Sequence, residues 1–466
     1  MVQGCTSSAG KSLLVTALAR IYRRRGFSVA PFKAQNMSNN ARVVAGGEIG
    51  VAQWLQAIAA GVPPDVRMNP ILVKPEREGS QVVVDGQVDF EVSNLPWRDR
   101  SPRVWPAARQ ALHSLLEEYA LVLMEGAGSP AEFNLWESDI ANMRSAEEAD
   151  AAVLLVVDID RGGAFAHLYG TWLLLPEPQR ERIVGFILNR FRGDASLLAP
   201  APERIEEMTG VPVLGVVPWI AHGLPDEDNA SLIGRKATGR RHRVTIVRWP
   251  TISNFDEFST MAGLTDVIWA EDPHDLEGSD LIILPGSKHV TSDLEWFRRR
   301  GFEQALAAEA DKGTQIVGIC GGLQMLGQRL RDPNGIDGEA DGLGLLEIET
   351  IFEHDKILTA ESGVFGTCPE PWEKLSDRSF TGYEIRQGRS VAVGSVVEVL
   401  PRGLGYASGN VLGLYVHGVF ESSDVLQGLL GVAPEGSLEE EIDIVADHFE
   451  RSLDMTRIDE ILGVAR

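Results

Sequence analysis

Short apolar runs that stop at a glycine or an acid recur along the chain, and between them apolar residues return every three or four positions. Runs of this length, apolar throughout, predict buried strands of parallel sheets with crossover helices between them. The predicted strands cover 121–124, 152–157, 183–188, 213–217, 244–247, 281–284, 315–319 and 412–416. Helices are expected to follow Lys11, Gly47, Pro102, Glu203, Leu294 and Gln324. The stretch 234–242 (GRKATGRRH) is polar, basic and glycine-bearing, which predicts a junction between two α/β domains, 1–235 and 243–466. Neither half carries an obvious repeat or low-complexity tract.

A length of 466 residues agrees with two domains. With 67 acidic against 43 basic residues the net charge is −24, which repels polyanions and argues against nucleic-acid or membrane partners. Cys5, Cys320 and Cys368 are too scattered for a disulfide framework, and no Cys/His spacing suits zinc. The longest apolar runs, such as 151–157, fall far short of the roughly 20 residues that span a bilayer, and no signal sequence precedes the first motif. The chain reads as a cytoplasmic protein.

The segment Gly4-Cys5-Thr6-Ser7-Ser8-Ala9-Gly10-Lys11-Ser12 opens a helix whose apolar face continues through Leu13, Leu14, Ala17, Leu18 and Ile21. Such a loop turns successive N–H groups toward a phosphate, and the helix N-terminus adds partial positive charge. Lys11 would then bridge the β- and γ-phosphates of ATP, and the Ser12 hydroxyl would hold Mg²⁺. The spacing G-x5-G-K-S is one residue longer than the common phosphate loop, and a serine-capped glycine turn is the competing reading. Only Met1, Val2 and Gln3 precede Gly4, so either the first strand is very short or the natural start lies upstream, the latter being expected.

Other polar residues end neighbouring strands. Glu125, at the glycine turn after 121–124, is either a magnesium ligand or an exposed loop acid. Asp158, Asp160 and Arg161 fall at the carboxyl edge of the sheet, where such folds bind ligands. Asn189 either presents its amide to a nucleotide base or satisfies a turn.

In Ile316-Val317-Gly318-Ile319-Cys320-Gly321-Gly322-Leu323-Gln324 a cysteine lies between a buried strand and a helix, with small neighbours on both sides. A sharp strand-to-helix turn exposes the sulfur and sets a helix N-terminus beneath it, which favours the nucleophilic thiolate. Downstream, His417 ends another strand and suits the role of base and then acid toward Cys320. Backbone N–H groups of Gly286, Ser287 and Gly321 are the candidate oxyanion hole. A phosphate loop joined to a cysteine hydrolase points to ATP-dependent activation coupled to ammonia release from an amide.

In order, VQGCTSSAGKSLLVTAL, PFKAQNMSNNA, GGEIGVAQ, MNPILVKP, MEGAGSPAEFNL, DIDRGGAFA, LPGSKHVTSDL, GICGGLQMLG, GYEIRQGRS and LYVHGVFE resemble the cobyric acid synthase family over nearly the whole chain. The resemblance implies a dethiobiotin-synthetase-like P-loop domain with a parallel sheet, fused to a flavodoxin-like class I type glutamine amidotransferase domain. It also implies the reaction, in which ATP and glutamine convert four peripheral carboxylates (b, d, e and g) of adenosylcobyrinic acid a,c-diamide, a corrinoid, to carboxamides through acyl phosphates. By the same resemblance Gln324 recognises glutamine, Lys33 lies near the γ-phosphate, and Glu48 joins Glu125 as a magnesium candidate. Asn36, Ser38, Asp158, Asp160 and Arg161 become candidate substrate contacts.

Two positions depart from expectation. Val419 stands where class I amidotransferases carry the glutamate that completes the triad, so the third member is either absent or supplied from elsewhere in the chain, with Glu421 one nearby candidate. Arg386 stands where the family usually has histidine. Three rival readings remain: cobyrinic acid a,c-diamide synthase, against which QNMSNN, DIDRGG and GYEIRQG argue; the amidotransferase of cell-wall lipid precursors, usually two separate chains; and a P-loop switch ATPase with an inert amidotransferase module.

Overall fold

The strand Val153–Asp158 is buried at every position, as its unbroken apolar run requires, and it lies inside a parallel sheet. The order is Val2–Gly4, Val153–Asp158, Ile183–Phe191, Val213–Pro218. A bridge between Val2 and Glu125 brings in the strand Leu121–Met124, which pairs in parallel with Val29–Phe32. The computed structural model describes residues 1–76, 79–225 and 242–464. It divides into two compact units, Met1–Ser38 with Val44–Leu224 and Gly436–Arg466, and Asn39–Val43 with Pro225–Glu435.

The second unit has a seven-stranded sheet in the order Asp266–Ala270, Arg243–Val247, Leu281–Leu284, Gln315–Ile319, Val411–Leu414, Gly405–Ser408, Val397–Leu400. The first five run parallel and the last two antiparallel. A long antiparallel hairpin, Ile348–Val364 with Ser379–Ala392, forms a separate four-stranded sheet with Arg329–Arg331 and Ala340–Asp341.

All eight predicted strands are present, with ends displaced by a few residues. The helix after Lys11 spans Lys11–Arg24, and the one expected after Gly47 begins at Val51. Pro102, Glu203 and Leu294 fall inside their helices, which start earlier at Trp97, Ala201 and Val290. The helix expected beyond Gln324 stops at Leu326. There Leu343 donates to the Met325 carbonyl and Leu345 and Leu346 to that of Leu326, so a returning loop caps the helix early. The junction at 234–242 falls, except for His242, outside the described residues.

Two segments sit in the unit opposite to their place in the chain. Residues 39–43 belong to the second unit, and Gly436–Arg466 to the first. The latter carries the amphipathic helix Leu438–Ser452, opened by a Ser437/Glu440 capping box. Its Ile442, Val445, Ala446 and Phe449 join Leu14, Leu18 and Ile21 in one core. Ion pairs from Arg24 to Asp443 and Asp447 and from Arg25 to Glu450 line the partly exposed rim. Such pairs add little individually, so the buried apolar stripe is what holds this helix.

Phe449→Ala is accordingly expected to destabilise the first unit by about 3 kcal/mol. Urea unfolding of the full chain followed by circular dichroism checks this: an unmoved first transition would show that the C-terminal helix is no part of that unit's core.

Candidate active site

In the first unit the loop after Val2–Gly4 turns into the helix at Gly10, whose φ of +94° is open to glycine but strained for a side chain. A Cβ there would also meet the Asn189 amide nitrogen at 2.0 Å. That nitrogen donates to the Ala9 carbonyl at 2.9 Å, which braces the loop. Lys11 Nζ donates to the carbonyls of Thr6 (3.1 Å) and Gly128 (3.2 Å), and so lies across the mouth of the loop.

Glu125 is the centre of this site, buried at 1% exposure rather than set in an exposed loop. Its Oε1 accepts from Ser12 Oγ at 2.9 Å and from Lys33 Nζ at 2.8 Å, while Gln53 and Gln56 donate to Oε2. Burial alone would raise its carboxyl pKa, but Lys33, Gln56 and Lys11 hold it below the usual carboxylate range. Ser12 and Glu125 therefore form an oxygen pair beside a phosphate cradle. That pair fits a magnesium ion which keeps its remaining positions for water and phosphate. Glu48 is also buried, but its carboxylate takes Lys74 as ion-pair partner. Among the described residues no group of three or more His, Cys, Asp or Glu could enclose a metal.

Asn36 is buried on Gln53 at 3.0 Å, and the Ser38 N–H bonds to the Val73 carbonyl at 3.0 Å. Asp158, buried at the sheet edge, accepts from the Asp160 N–H at 3.0 Å and pairs with Arg161 (3.3 Å) and Arg190 (3.4 Å). Asp160 pairs with Arg192 at 3.3 Å.

In the second unit Cys320 has φ +51° and ψ −104°, a conformation imposed by the turn from Gln315–Ile319 into Gly321–Leu326. The turn tolerates no bulk: a Cβ on Gly322 would approach the Leu284 carbonyl oxygen to 1.9 Å. Strain of this kind in a tightly packed elbow serves to aim one side chain. Of the other two thiols, burial pushes Cys5 up to about 12 and raises Cys368. Both are poor thiolates.

His417 is buried, and its Nδ1 pairs with Glu257 Oε1 at 2.9 Å. The other oxygen of Glu257 accepts the Gly418 N–H at 2.8 Å. On the far side Nε2 is buried without a well-aligned hydrogen bond, within range of the Cys320 sulfur. Burial works against the imidazolium, but Glu257 and Cys320 outweigh it and raise the His417 pKa to about 10. A thiol, an imidazole and a buried carboxylate are thus arranged as in a triad.

The Gly286–Ser287 strand closes this site. A Cβ on Gly286 would stand 2.9 Å from His417 Cε1, and one on Gly321 2.8 Å from the Ser287 nitrogen. The Ser287 hydroxyl donates to Asp293 at 2.6 Å, which leaves backbone N–H groups as the candidate oxyanion donors. Gln324, one helical turn beyond Cys320, donates to the Gln387 carbonyl (3.2 Å) and Tyr415 hydroxyl (3.3 Å). Arg386 lies over the Tyr415 ring at 4.1 Å and bonds to Glu384 at 2.6 Å.

Residues 1–224 match the CobQ/CobB/MinD/ParA nucleotide binding domain, and residues 243–425 the CobB/CobQ-like glutamine amidotransferase domain. The chain is 52% identical over 464 residues to a protein named cobyric acid synthase from Variovorax paradoxus (strain S110), covering 97% of both. It is 51% identical to one of the same name from Polaromonas sp. (strain JS666 / ATCC BAA-500), covering 97% of this chain and 96% of that one. The chain belongs to the cobyric acid synthase family. Among solved structures, one titled "Crystal structure of glutamine amidotransferase" aligns with 41% of this chain and 99% of its own at 22% identity and a TM-score of 0.32.

Within this family member, the third residue against the imidazole is Glu257, which the sequence reading missed. Glu421, the nearby candidate, instead bonds to Arg42. Val419 is fully buried in the apolar core, where a carboxylate would lose its water without gaining a partner. Glu257 lies 160 positions from His417, in a short turn with no motif around it. The only available signal was an acidic pair, Asp256-Glu257, set between phenylalanines, which is unusual in a solvent loop.

Glu257→Gln is expected to lower glutamine hydrolysis about 100-fold or more, since it leaves the imidazole unanchored. It also has a stability signature. The folded His417 pKa of about 10 lies above its unfolded value near 6.5. The pair's stabilisation is therefore complete below pH 6.5 and lost as pH rises toward 10. Denaturant midpoints across that window should fall less steeply in Glu257→Gln than in the parent, and equal slopes would contradict the pairing.

Proposed function

We propose that this chain uses ATP and glutamine to amidate four peripheral carboxylates (b, d, e and g) of adenosylcobyrinic acid a,c-diamide. The observation that carries the reading is the Cys320–His417–Glu257 arrangement on a chain whose other unit holds a phosphate loop around Glu125. A free carboxylate resists attack by ammonia, so the acid must first be made an electrophile.

In the first unit a substrate carboxylate oxygen attacks the γ-phosphorus of ATP and ADP leaves, giving an acyl phosphate. Lys11 and Lys33 offset the phosphate charge as it redistributes. Ser12 and Glu125 are the residues that would hold Mg²⁺, which would supply further neutralisation of the phosphate charge. Ammonia then attacks the acyl carbon and phosphate leaves. Arg161, which reaches solvent from the sheet edge, suits a peripheral carboxylate of the corrinoid.

In the second unit the Cys320 thiolate attacks the side-chain carboxamide carbon of glutamine. Backbone N–H groups about Gly286, Ser287 and Gly321 receive the oxyanion. The His417 imidazolium, steadied by Glu257, gives its proton to the departing nitrogen and ammonia is released. His417 then draws a proton from water, which cleaves the glutamyl thioester and returns the thiolate. Gln324 lines the glutamine side of the elbow.

Three measurements test this. Cys320→Ala is expected to abolish glutamine-dependent amidation while activity with free ammonia persists; retained glutamine use would remove Cys320 from the mechanism. Lys11→Ala is expected to abolish amidation from either nitrogen source while glutamate release survives. Mass spectrometry of the corrinoid after incubation with ATP and glutamine should resolve four successive amidations, whereas a final product with two would point to the a,c-diamide synthase reaction.

A further inference from the structure

The second unit includes five residues, 39–43, that the chain delivers far ahead of the rest of it. They dock on the turn that carries Asp256 and Glu257. The Ala41 N–H bonds to Asn254 Oδ1 at 3.1 Å, and the Asn254 N–H to the Asn39 carbonyl at 3.4 Å. Asn254 itself has φ +51°, so the turn is entered through a left-handed residue held from both sides.

From this segment Arg42 reaches inward and is 2% exposed. Its guanidinium bonds to Glu421 and to the Tyr383 hydroxyl and forms an ion pair with Asp256. It also lies over the Tyr383 ring, 5.0 Å from the centroid. Tyr383 is stacked in turn on His417, with centroids 5.6 Å apart and planes 19° from parallel. The two backbones exchange hydrogen bonds of 3.0 and 2.9 Å.

We propose that Arg42 is a positioning residue of the glutamine-hydrolysing site, holding Asp256 and Glu421 and bracing Tyr383 so that Glu257 stays on His417 and the Gly418 N–H. The proposal rests on the reading of Cys320 and His417 as the glutaminase pair. Its physical basis is crowding. Three carboxylates, Asp256, Glu257 and Glu421, meet here, and the facing charged or titratable groups are Arg42, His417, Tyr383 and Cys320. Burial raises Glu421 to about 7 and raises Asp256 even with Arg42 present, so the guanidinium is already working against like-charge repulsion. A planar guanidinium can serve two carboxylates and an aromatic face together, which a lysine ammonium cannot.

The test uses the full chain with Arg42→Ala, Arg42→Gln, Arg42→Lys and Cys320→Ala. Glutamate release is measured against glutamine concentration and pH, and amidation with free ammonia is measured beside it. Arg42→Ala and Arg42→Gln are expected to lower kcat about tenfold or more with KM for glutamine held within about twofold. Both limbs of their pH profile should move to higher pH, because losing a cation raises the pKa of every nearby group. Arg42→Lys keeps the charge and should return the limbs to the parent positions with kcat between the two. Ammonia-driven amidation should persist in all three. If Arg42→Ala does not fold, Arg42→Gln carries the same expectation. Parent kcat with unmoved limbs in the uncharged variants overturns the proposal, as does parallel loss of ammonia-driven activity. Those results beside an inactive Cys320→Ala would sink the Arg42 assignment alone, whereas glutamine use by Cys320→Ala would sink the glutaminase reading beneath it.

Discussion

A carboxylate removed from water must be given cations or donors, and both sites of this chain are organised around one that has been. Glu125 and Glu257 have almost no solvent contact. Unpaired, either would take up a proton or destabilise the fold by several kcal/mol. Each is instead surrounded by the groups whose chemistry it directs. Around Glu125 these are the phosphate-loop serine, a second lysine and two glutamines. Around Glu257 they are an imidazole and the Gly418 N–H at the start of a short 3₁₀ turn. Structural necessity and catalytic placement coincide, because satisfying the buried acid sets the position of the reactive residue.

The two acids act in opposite electrical senses. Glu125 is held below the usual carboxylate range by neighbouring cations, which keeps an anion ready beside the phosphate cradle. Glu257 acts on its neighbour, raising the proton affinity of His417 against a burial effect that would lower it. An imidazole that stays protonated is the acid that a departing amine requires. Glu257 and Cys320 both act on the charge of His417, so disturbing either changes the proton affinity of the imidazole as well as its setting.

The legible parts of the sequence were those whose signal is local. A Gly-Lys-Ser triplet before an amphipathic helix and a cysteine followed by two glycines each encode a turn within a dozen residues, and each turn leads into a helix, although Cys320 is buried at 6% exposure rather than exposed as expected. Buried parallel strands were equally plain because both faces must be apolar. The long hairpin was not, since charged residues interrupt its alternation and its two strands are only partly buried. Glu257 was hidden for another reason. Its role exists only through a contact 160 positions away, and nothing in the run Phe255–Phe258 distinguishes a triad carboxylate from a helix-capping acid.

Arg42 shows how far that difficulty extends. As a sequence position it belongs to a stretch continuous with Asn36 and Ser38, and any motif reading assigns it to the nucleotide-binding half. Its side chain is nevertheless buried on a cluster drawn from positions 256, 383 and 421. A fully desolvated guanidinium is stable only where several acceptors already converge, so its partners identify its unit more reliably than its place in the chain. The C-terminal helix follows the same rule through apolar contact: Phe449 and Ile442 complete the core over Lys11–Arg24 although the whole amidotransferase sequence lies between them. Membership of a folding unit is decided by which buried groups would otherwise lack partners. For that reason charge clusters and apolar stripes, more than motif order, mark where one chemistry ends and the other begins.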